Sequence, residues 1–405
     1  MNLRRSLMLA GALALAGGAA QAQITDGVIK IGVMTDMSSL YTDLSGAGSV
    51  LAARMAVEDF KAAEKGLKVE IVSADHQNKP DVGSSVVRQW IDADKVDVIV
   101  DVPNSGVALA TNEIVKEKNK VFLVSGAASS ALTGEKCSPN TIHWTYDTWA
   151  LANGTGQAIV KTGGDSWFFL TADYAFGHQL EADTEAVVKK LGGKVLGKVR
   201  HPLNTSDFSS FLLQAQASKA KIIGLANAGG DTTNSIKQAS EFGIVKGGQN
   251  LAGLLVFLTD VHSLGLQTAQ GLIFTESFYW DMNDQTRAFA KRFAPQDKGI
   301  HPTMIHAGVY SAVTHYLKAV AELKSDADGK AVVEKMKATP TDDPLFGKGT
   351  VRADGRKIHP TYLFEVKKPE ESKAPWDYYK LRATIPAEDA FRPINDGNCP
   401  LVKKS

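Results

Sequence analysis

An α/β fold with two doubly wound lobes is predicted by two observations. Apolar strands alternate with amphipathic helices from Val28 onward, and the chain is 405 residues long. Near-continuous apolar strands separated by helices are typical of parallel sheets covered on both faces. Because single hydrophobic cores stop growing at roughly 250 to 300 residues, the length indicates two such sheets.

Several segments have the composition of buried strands. They are 29–34, 68–73, 96–100, 121–124, 167–171, 194–199, 221–225, 251–257 and 271–275. The first helix is predicted between the first two strands, because Val50, Ala53, Val57 and Phe60 fall on one helical face. Further helices are predicted at 84–93, 108–118, 180–190, 208–217 and 233–242, with a long one around 305–320.

The alternation breaks where aromatic and polar residues mix, at 143–154 and at 274–284. We expect the chain to cross between the lobes there, and a third time from Thr361 onward. Between these crossings, Asp354-Gly355 predicts a hairpin. The predicted lobes are 23–145 with 277–360, and 146–276 with 361–390, followed by a tail at 391–405.

The N-terminus has the features of a cleaved export signal. Arg4 and Arg5 precede an apolar run that is too short to span a bilayer, and Ala20-Gln21-Ala22 has the pattern of a cleavage site after Ala22. No cysteine lies nearby to carry a lipid anchor. We therefore expect an exported protein without direct membrane insertion.

Charge and cysteine content restrict the partners further. Lys and Arg number 45 and Asp and Glu 44, so no basic surface excess favours nucleic acid as a partner. The only two cysteines, Cys137 and Cys399, lie in Pro-flanked loops. In an oxidising compartment this predicts one disulfide, with two free thiols as the alternative.

Signatures of cofactor binding and catalysis are missing from the sequence. The glycine motifs at Gly46 and Gly154 lack the third glycine of a dinucleotide loop, and no histidine pair has the spacing of a zinc site. Gly-x-Ser-x-Gly is also absent. We predict neither a cofactor nor a metal, although the hydroxyl cluster at 125–130 leaves an unconventional nucleophile open.

That hydroxyl cluster follows an apolar strand in "KVFLVSGAASSALTG". Together with the leader, "VIKIGVMTDMSSLYTDLSGAG", "TADYAFGHQLEADTEAVVKKLGGKVLG" and the closing "NCPLVKK", it resembles the periplasmic solute-binding proteins of bacterial ABC transporters. The resemblance is to the leucine/isoleucine/valine-binding, type I, family and covers essentially the whole mature chain. It implies two doubly wound lobes joined by a three-strand hinge and a ligand enclosed in the cleft.

The resemblance also implies which residues contact the ligand. Matched to the family's segments, the candidate ligand-binding residues are Tyr41, Asn104, Ser105, Ala127, Ala128, Ser129, Tyr174, Phe176, Asp231, Asp260 and Phe278. Backbone amides and hydroxyls at 127–129 would form a neutral trap for a carboxylate, and a tight packing turn is the alternative. Asp231 could instead cap the following helix.

An aromatic wall with a neutral trap fits an aromatic or other apolar carboxylate at least as well as a branched-chain amino acid. For a ligand without an amine, we expect Asp231 to bond backbone or a ligand hydroxyl and Asp260 to point away from the cleft. The predicted function is non-catalytic capture by a monomer in the periplasm and delivery to an ABC transporter permease. Two alternatives are an exported hydrolase and a ligand-sensing protein for a receptor kinase.

Overall fold

The computed structural model describes residues 24–403, so the predicted leader lies outside the described residues. The first sheet has five parallel strands in the order β2-β1-β3-β4-β5. They are β1 (Ile29–Thr35), β2 (Val69–Asp75), β3 (Val98–Asp101), β4 (Val121–Val124) and β5 (Thr141–His143). The helices between them are α1 (Gly46–Phe60), α2 (Pro80–Asp92) and α3 (Ser105–Glu117).

The second sheet has four parallel strands in the order β7-β6-β8-β9. They are β6 (Ser166–Ala172), β7 (Lys194–His201), β8 (Ile222–Ala226) and β9 (Asn250–Gly253). The helices of this region are α4 (Thr148–Leu151), α5 (Gln157–Lys161), α6 (Ala175–Lys190), α7 (Ser209–Ala217), α8 (Gly230–Glu241), α9 (Leu258–Leu264) and α10 (Leu266–Ala269). We call the bodies around the first and second sheets the first and second lobes, and their predicted residue boundaries stay a prediction.

The remaining chain adds two small antiparallel sheets, and the one formed by 273–276, 361–366 and 379–385 packs in the core of the second lobe. The strands of this remaining part are β10 (Ile273–Glu276), β11 (Thr341–Asp343), β12 (Gly347–Val351), β13 (Lys357–Ile358), β14 (Thr361–Val366) and β15 (Tyr379–Ile385). Its helices are α11 (Asp284–Phe293), α12 (Met304–Leu323), α13 (Gly329–Ala338) and α14 (Ala387–Ala390). Helix α12 is buried along most of its length and packs against α1.

The two-lobed α/β architecture confirms the predicted fold class, with informative differences in detail. Strand β10 pairs antiparallel with β14, which in turn pairs with β15, and so does not join the second parallel sheet. Its neighbours come from nearly a hundred residues later, so no local pattern records the pairing. The predicted hairpin is present, since β12 pairs antiparallel with β13 and Gly355 adopts a φ of 84°.

Several helices begin three to five residues earlier than predicted. Helices α1, α3, α6 and α8 begin at Gly46, Ser105, Ala175 and Gly230. These first turns contain small or polar residues, so the apolar periodicity used to predict them starts only later. The early starts matter for the site, because they bring the helix N-termini close to the carboxyl ends of the strands.

The C-terminal tail is attached to the first lobe through a disulfide. Cys137 and Cys399 are bonded, with their Cα atoms 5.6 Å apart. Nearby, Arg392 donates from Nη2 to the carbonyl oxygen of Ser130 at 2.9 Å. The tail therefore braces the turn that follows β4.

Candidate functional site

A narrow cavity lies between the lobes. Every residue that lines it follows the carboxyl end of a strand of one of the two parallel sheets. The lining consists of Tyr41, Leu44, Pro103, Gly126, Ala128, Tyr146, Tyr174, Phe176, Ala228, Leu255 and Phe257. In open α/β sheets this edge is where ligands bind, so the cavity is the candidate functional site.

Three phenol groups line the cavity. Tyr41 from the first lobe and Tyr174 from the second have their hydroxyl oxygens 2.5 Å apart. The Tyr146 hydroxyl donates to the Gly126 carbonyl oxygen, also at 2.5 Å. Burial raises the pKa of Tyr41, Tyr146 and Tyr174 above the ordinary phenol value, so all three stay neutral at physiological pH.

The turn after β4 supplies unpaired amide donors. Ala128 lines the cavity, while the Ala127 carbonyl oxygen accepts from His143 Nε2 at 2.8 Å behind it. Among residues 24–403, neither the Ala127 nor the Ala128 amide donates to another protein group. The Ser129 amide is already used, because it donates to Ser105 Oγ at 3.3 Å.

Asn104 and Ser105 begin α3 and do not line the cavity. The Asn104 side-chain oxygen caps the helix by accepting from the amides of Gly106 and Val107, at 2.9 and 3.1 Å. Its Nδ2 is buried and has no partner among the described residues. A ligand contact by Asn104, Ser105 or Ser129 stays a prediction.

Both candidate acids are occupied by backbone groups. Asp231 lies in the first turn of α8 and accepts from the amides of Asn204 and Thr205 at 3.1 and 2.9 Å, so it holds a neighbouring loop instead of capping its own helix. Asp260 accepts from the Phe257 amide at 2.9 Å and does not line the cavity. Burial raises the pKa of Asp231 to about 6 and that of Asp260 to about 7.

The aromatic residues divide into a cavity group and a core group. Tyr41, Tyr174 and Phe176 line the cavity, whereas Phe278 is buried in the core. Sequence reasoning missed further lining residues, namely Leu44, Pro103, Gly126, Tyr146, Ala228, Leu255 and Phe257. Their common signal is a position shortly after a predicted strand, which applies equally to many residues that do not face the cavity.

Direct contacts between the lobes show that the cleft is closed. The Gly230 amide donates to the Leu40 carbonyl oxygen at 3.2 Å, and Ser130 Oγ donates to Asp183 Oδ2 at 2.9 Å. Gly229 has a φ of 56°, and an added Cβ would collide with the Leu40 carbonyl oxygen. A side chain at residue 229 would therefore obstruct this closed arrangement.

Two negative observations apply to the described part of the chain. Between residues 24 and 403, no helix combines the length and apolar character needed to cross a bilayer. Over the same range, no three His, Cys, Asp or Glu side chains are grouped so that they could hold a metal ion.

Comparison with known proteins identifies the family. The periplasmic binding protein family model matches residues 28–373. A Leu/Ile/Val-binding protein homolog of Brucella melitensis is 25% identical over 373 residues, which are 89% of this chain and 93% of the relative. The chain belongs to the periplasmic binding protein family, a class of solute-binding proteins.

Three solved structures illustrate the likeness. A periplasmic binding protein from Burkholderia mallei is 53% identical with a TM-score of 0.91, covering 94% of this chain and 100% of that one. A branched chain amino acid ABC transporter periplasmic ligand-binding protein from Burkholderia xenovorans is 42% identical with a TM-score of 0.81, covering 92% and 99%. An ABC transporter solute-binding protein from R. palustris in complex with benzoate is 21% identical with a TM-score of 0.79, covering 89% and 97%, which shows a shared fold alone.

Proposed function

We propose that this protein captures a small carboxylate without an amine, such as an aromatic acid, in the periplasm and delivers it to an ABC transporter permease. Family membership and the similarity to an ABC transporter ligand-binding protein support the transport role. The observation that carries the ligand class is the neutral lining of the interlobe cavity. No lining residue is Asp, Glu, Lys, Arg or His.

A neutral lining favours an acid over an amino acid. An enclosed ammonium group needs an acidic or carbonyl partner, yet the two acids predicted for that role, Asp231 and Asp260, already accept backbone hydrogen bonds. A carboxylate needs donors, and the free amides at Ala127 and Ala128 are suitable ones. Tyr146, Phe176 and Phe257 would surround an apolar or aromatic body.

Thermal unfolding with a compound panel tests the ligand class. The panel contains benzoate, L-leucine and succinate, with benzamide as the uncharged match for benzoate. A ligand present at 100 times its Kd stabilises the folded protein by about 2.7 kcal/mol, so binding raises Tm. We expect benzoate to raise Tm and benzamide and leucine to leave it unchanged, whereas stabilisation by leucine alone would restore the amino-acid interpretation.

Two further measurements separate the alternative functions. Mass spectrometry of the bound compound after long incubation should recover it unchanged, since chemical conversion would support the exported hydrolase. Ligand-loaded protein should stimulate ATP hydrolysis by vesicles that contain candidate ABC permease and ATPase subunits from the same genome. Stimulation of a receptor kinase, and not of those vesicles, would favour the sensor.

A further inference from the structure

We propose that the paired hydroxyls of Tyr41 and Tyr174 form a polar subsite, complete only in the closed cleft, that selects acids carrying a second, neutral oxygen such as a ring hydroxyl. The inference rests on the proposed function and deepens it. It assigns different tasks to two parts of the cavity lining, with the carboxylate at the turn after β4 and the neutral oxygen at the phenol pair.

The phenol pair has two hydroxyl protons and uses only one of them within the pair. With the oxygens 2.5 Å apart, one phenol donates to the other. That bond uses one of the two hydroxyl protons, and no other protein acceptor within residues 24–403 receives the second. Both tyrosines line the cavity, so the remaining proton is available to an oxygen of the enclosed ligand.

The pair requires closure because its members come from different lobes. Tyr41 lies between β1 and α1, and Tyr174 immediately precedes α6. The closing contacts next to Tyr41 include the bond from the Gly230 amide to the Leu40 carbonyl oxygen. Separating the lobes would break the pair and hydrate both hydroxyls, so its selectivity acts only on a ligand that lets the cleft close.

Electrostatics decide which ligand group lies beside the phenol pair. The carboxylate of Asp231 is close enough to raise the pKa of both Tyr41 and Tyr174. A ligand carboxylate beside the pair would face the same negative charge, which disfavours it. The amides at Ala127 and Ala128 have no acceptor among the described residues and can donate to an anion, so we place the carboxylate there and a neutral oxygen at the pair.

Binding of 4-hydroxybenzoate and benzoate, measured by calorimetry, tests the subsite. We compare the parent, the two single Tyr→Phe variants and the double variant Tyr41→Phe/Tyr174→Phe. The parent should bind 4-hydroxybenzoate at least about tenfold more tightly than benzoate, the usual effect of one buried hydrogen bond. The double variant should lose this preference, and each single variant should keep part of it because one phenol remains.

Tyr316→Phe is the matched control. The Tyr316 hydroxyl is buried and has no partner in the described structure, and it does not line the cavity. Its removal should leave the preference intact. If the double variant fails to fold, the ligand is changed instead of the protein. In 4-fluorobenzoate a fluorine stands in place of the ring hydroxyl, and the parent should bind this compound no better than benzoate.

The outcomes separate this inference from the proposed function. A preference that persists in the double variant, or equal binding of both acids by the parent, overturns the subsite while the proposed ligand class stands. Failure of the parent to bind either acid overturns the proposed ligand class and the subsite together.

Discussion

The interlobe cavity and the region where residues 356–357 meet the end of β5 differ in the charge of their side chains. The cavity is lined by neutral groups, whereas the second region contains fully buried Arg356 and Lys357 close to Asp147 and Asp343. We call these four residues the junction cluster. It lies where β13 meets the end of β5 through the bridge between His143 and Arg356.

The junction cluster is held by fixed partners. Arg356 donates from Nη1 to the Tyr146 carbonyl oxygen at 3.1 Å and lies 3.5 Å from Asp147 Oδ2, while its guanidinium covers the Phe391 ring at 4.4 Å. Lys357 lies 4.5 Å from the centre of the Phe346 ring. Burial lowers the pKa of Arg356 to about 10 and that of Lys357 to about 8.

The difference teaches where a buried charge is tolerable. In the proposed cycle the cleft exchanges water for ligand at each closure, and an ion there would be desolvated every time, at a cost of several kcal/mol. Neutral phenols and amides lose less hydration free energy when water leaves the cleft. Charges in the junction cluster are desolvated once, during folding.

Removing the charge from Arg356 should have the largest effect on stability. We expect Arg356→Met to lower the free energy of unfolding by about 3 to 5 kcal/mol, because Asp147 and the Tyr146 carbonyl oxygen lose a buried partner. Urea unfolding measures it. The matched control is Arg287→Met, whose solvent-exposed pairs with Asp281 and Asp284 are screened by water, so the variant should lose much less stability. Equal losses for both variants would contradict the special role of the junction cluster.

The disulfide should give the next largest effect. Replacing Cys137 and Cys399 by Ala should destabilise the protein by about 2 to 5 kcal/mol. If the tail also braces the turn after β4, ligand affinity should fall as well, since Arg392 contacts Ser130 beside Ala128 and Ser129. Mild reduction of the parent should reproduce both effects. An unchanged affinity would restrict the tail to a stabilising role.

Ser129→Ala tests whether the turn after β4 binds the ligand through a hydroxyl group. If the Ser129 hydroxyl turns toward the ligand carboxylate, the substitution removes one charge-assisted hydrogen bond and weakens binding by about 1.5 to 3 kcal/mol. Folding stability should not change. Ser209→Ala is the control, because Ser209 is on the surface at the start of α7. Parent-like affinity would assign the Ser129 side chain to packing and leave the Ala127 and Ala128 amides as the donors of this turn.

The smallest expected effect per pH unit concerns Asp260 and depends on pH. Burial raises its pKa from the ordinary 3.8 to about 7, so the folded protein holds more protons than the unfolded chain between these values. Ionisation of Asp260 therefore destabilises the protein as pH rises through this window. The Asn side chain of Asp260→Asn can still accept from the Phe257 amide and cannot ionise. As pH rises through this window, the free energy of unfolding of the variant should therefore increase relative to that of the parent by up to about 1.4 kcal/mol per pH unit.

Parallel melts of both proteins at pH 5 and pH 7.5 measure this gain. Ligand affinity should be the same in both, because Asp260 does not line the cavity. A variant that is equally stable at both pH values relative to the parent would show that Asp260 is more hydrated than its 5% exposure indicates.

Much of the fold and part of the site follow from the sequence by itself. The alternation of apolar strands and amphipathic helices predicts both parallel sheets, because burial on both faces demands continuous apolar strands. Asp354-Gly355 predicts its hairpin for a local reason, the positive φ that glycine adopts readily. The resemblance to the solute-binding family, carried by the sequence segments, adds Tyr41, Ala128, Tyr174 and Phe176 as neighbours of the cavity.

Only the tertiary structure decided which side chains share the cavity and which charges are buried. Tyr146 and Phe257 follow strand ends as many other residues do, and their approach to Tyr41 depends on how the two lobes meet. Arg356 and Lys357 look like ordinary surface residues beside a hairpin, yet the pairing of β13 at the edge of the first sheet buries both. Contacts between distant segments depend on packing geometry, which no local periodicity encodes.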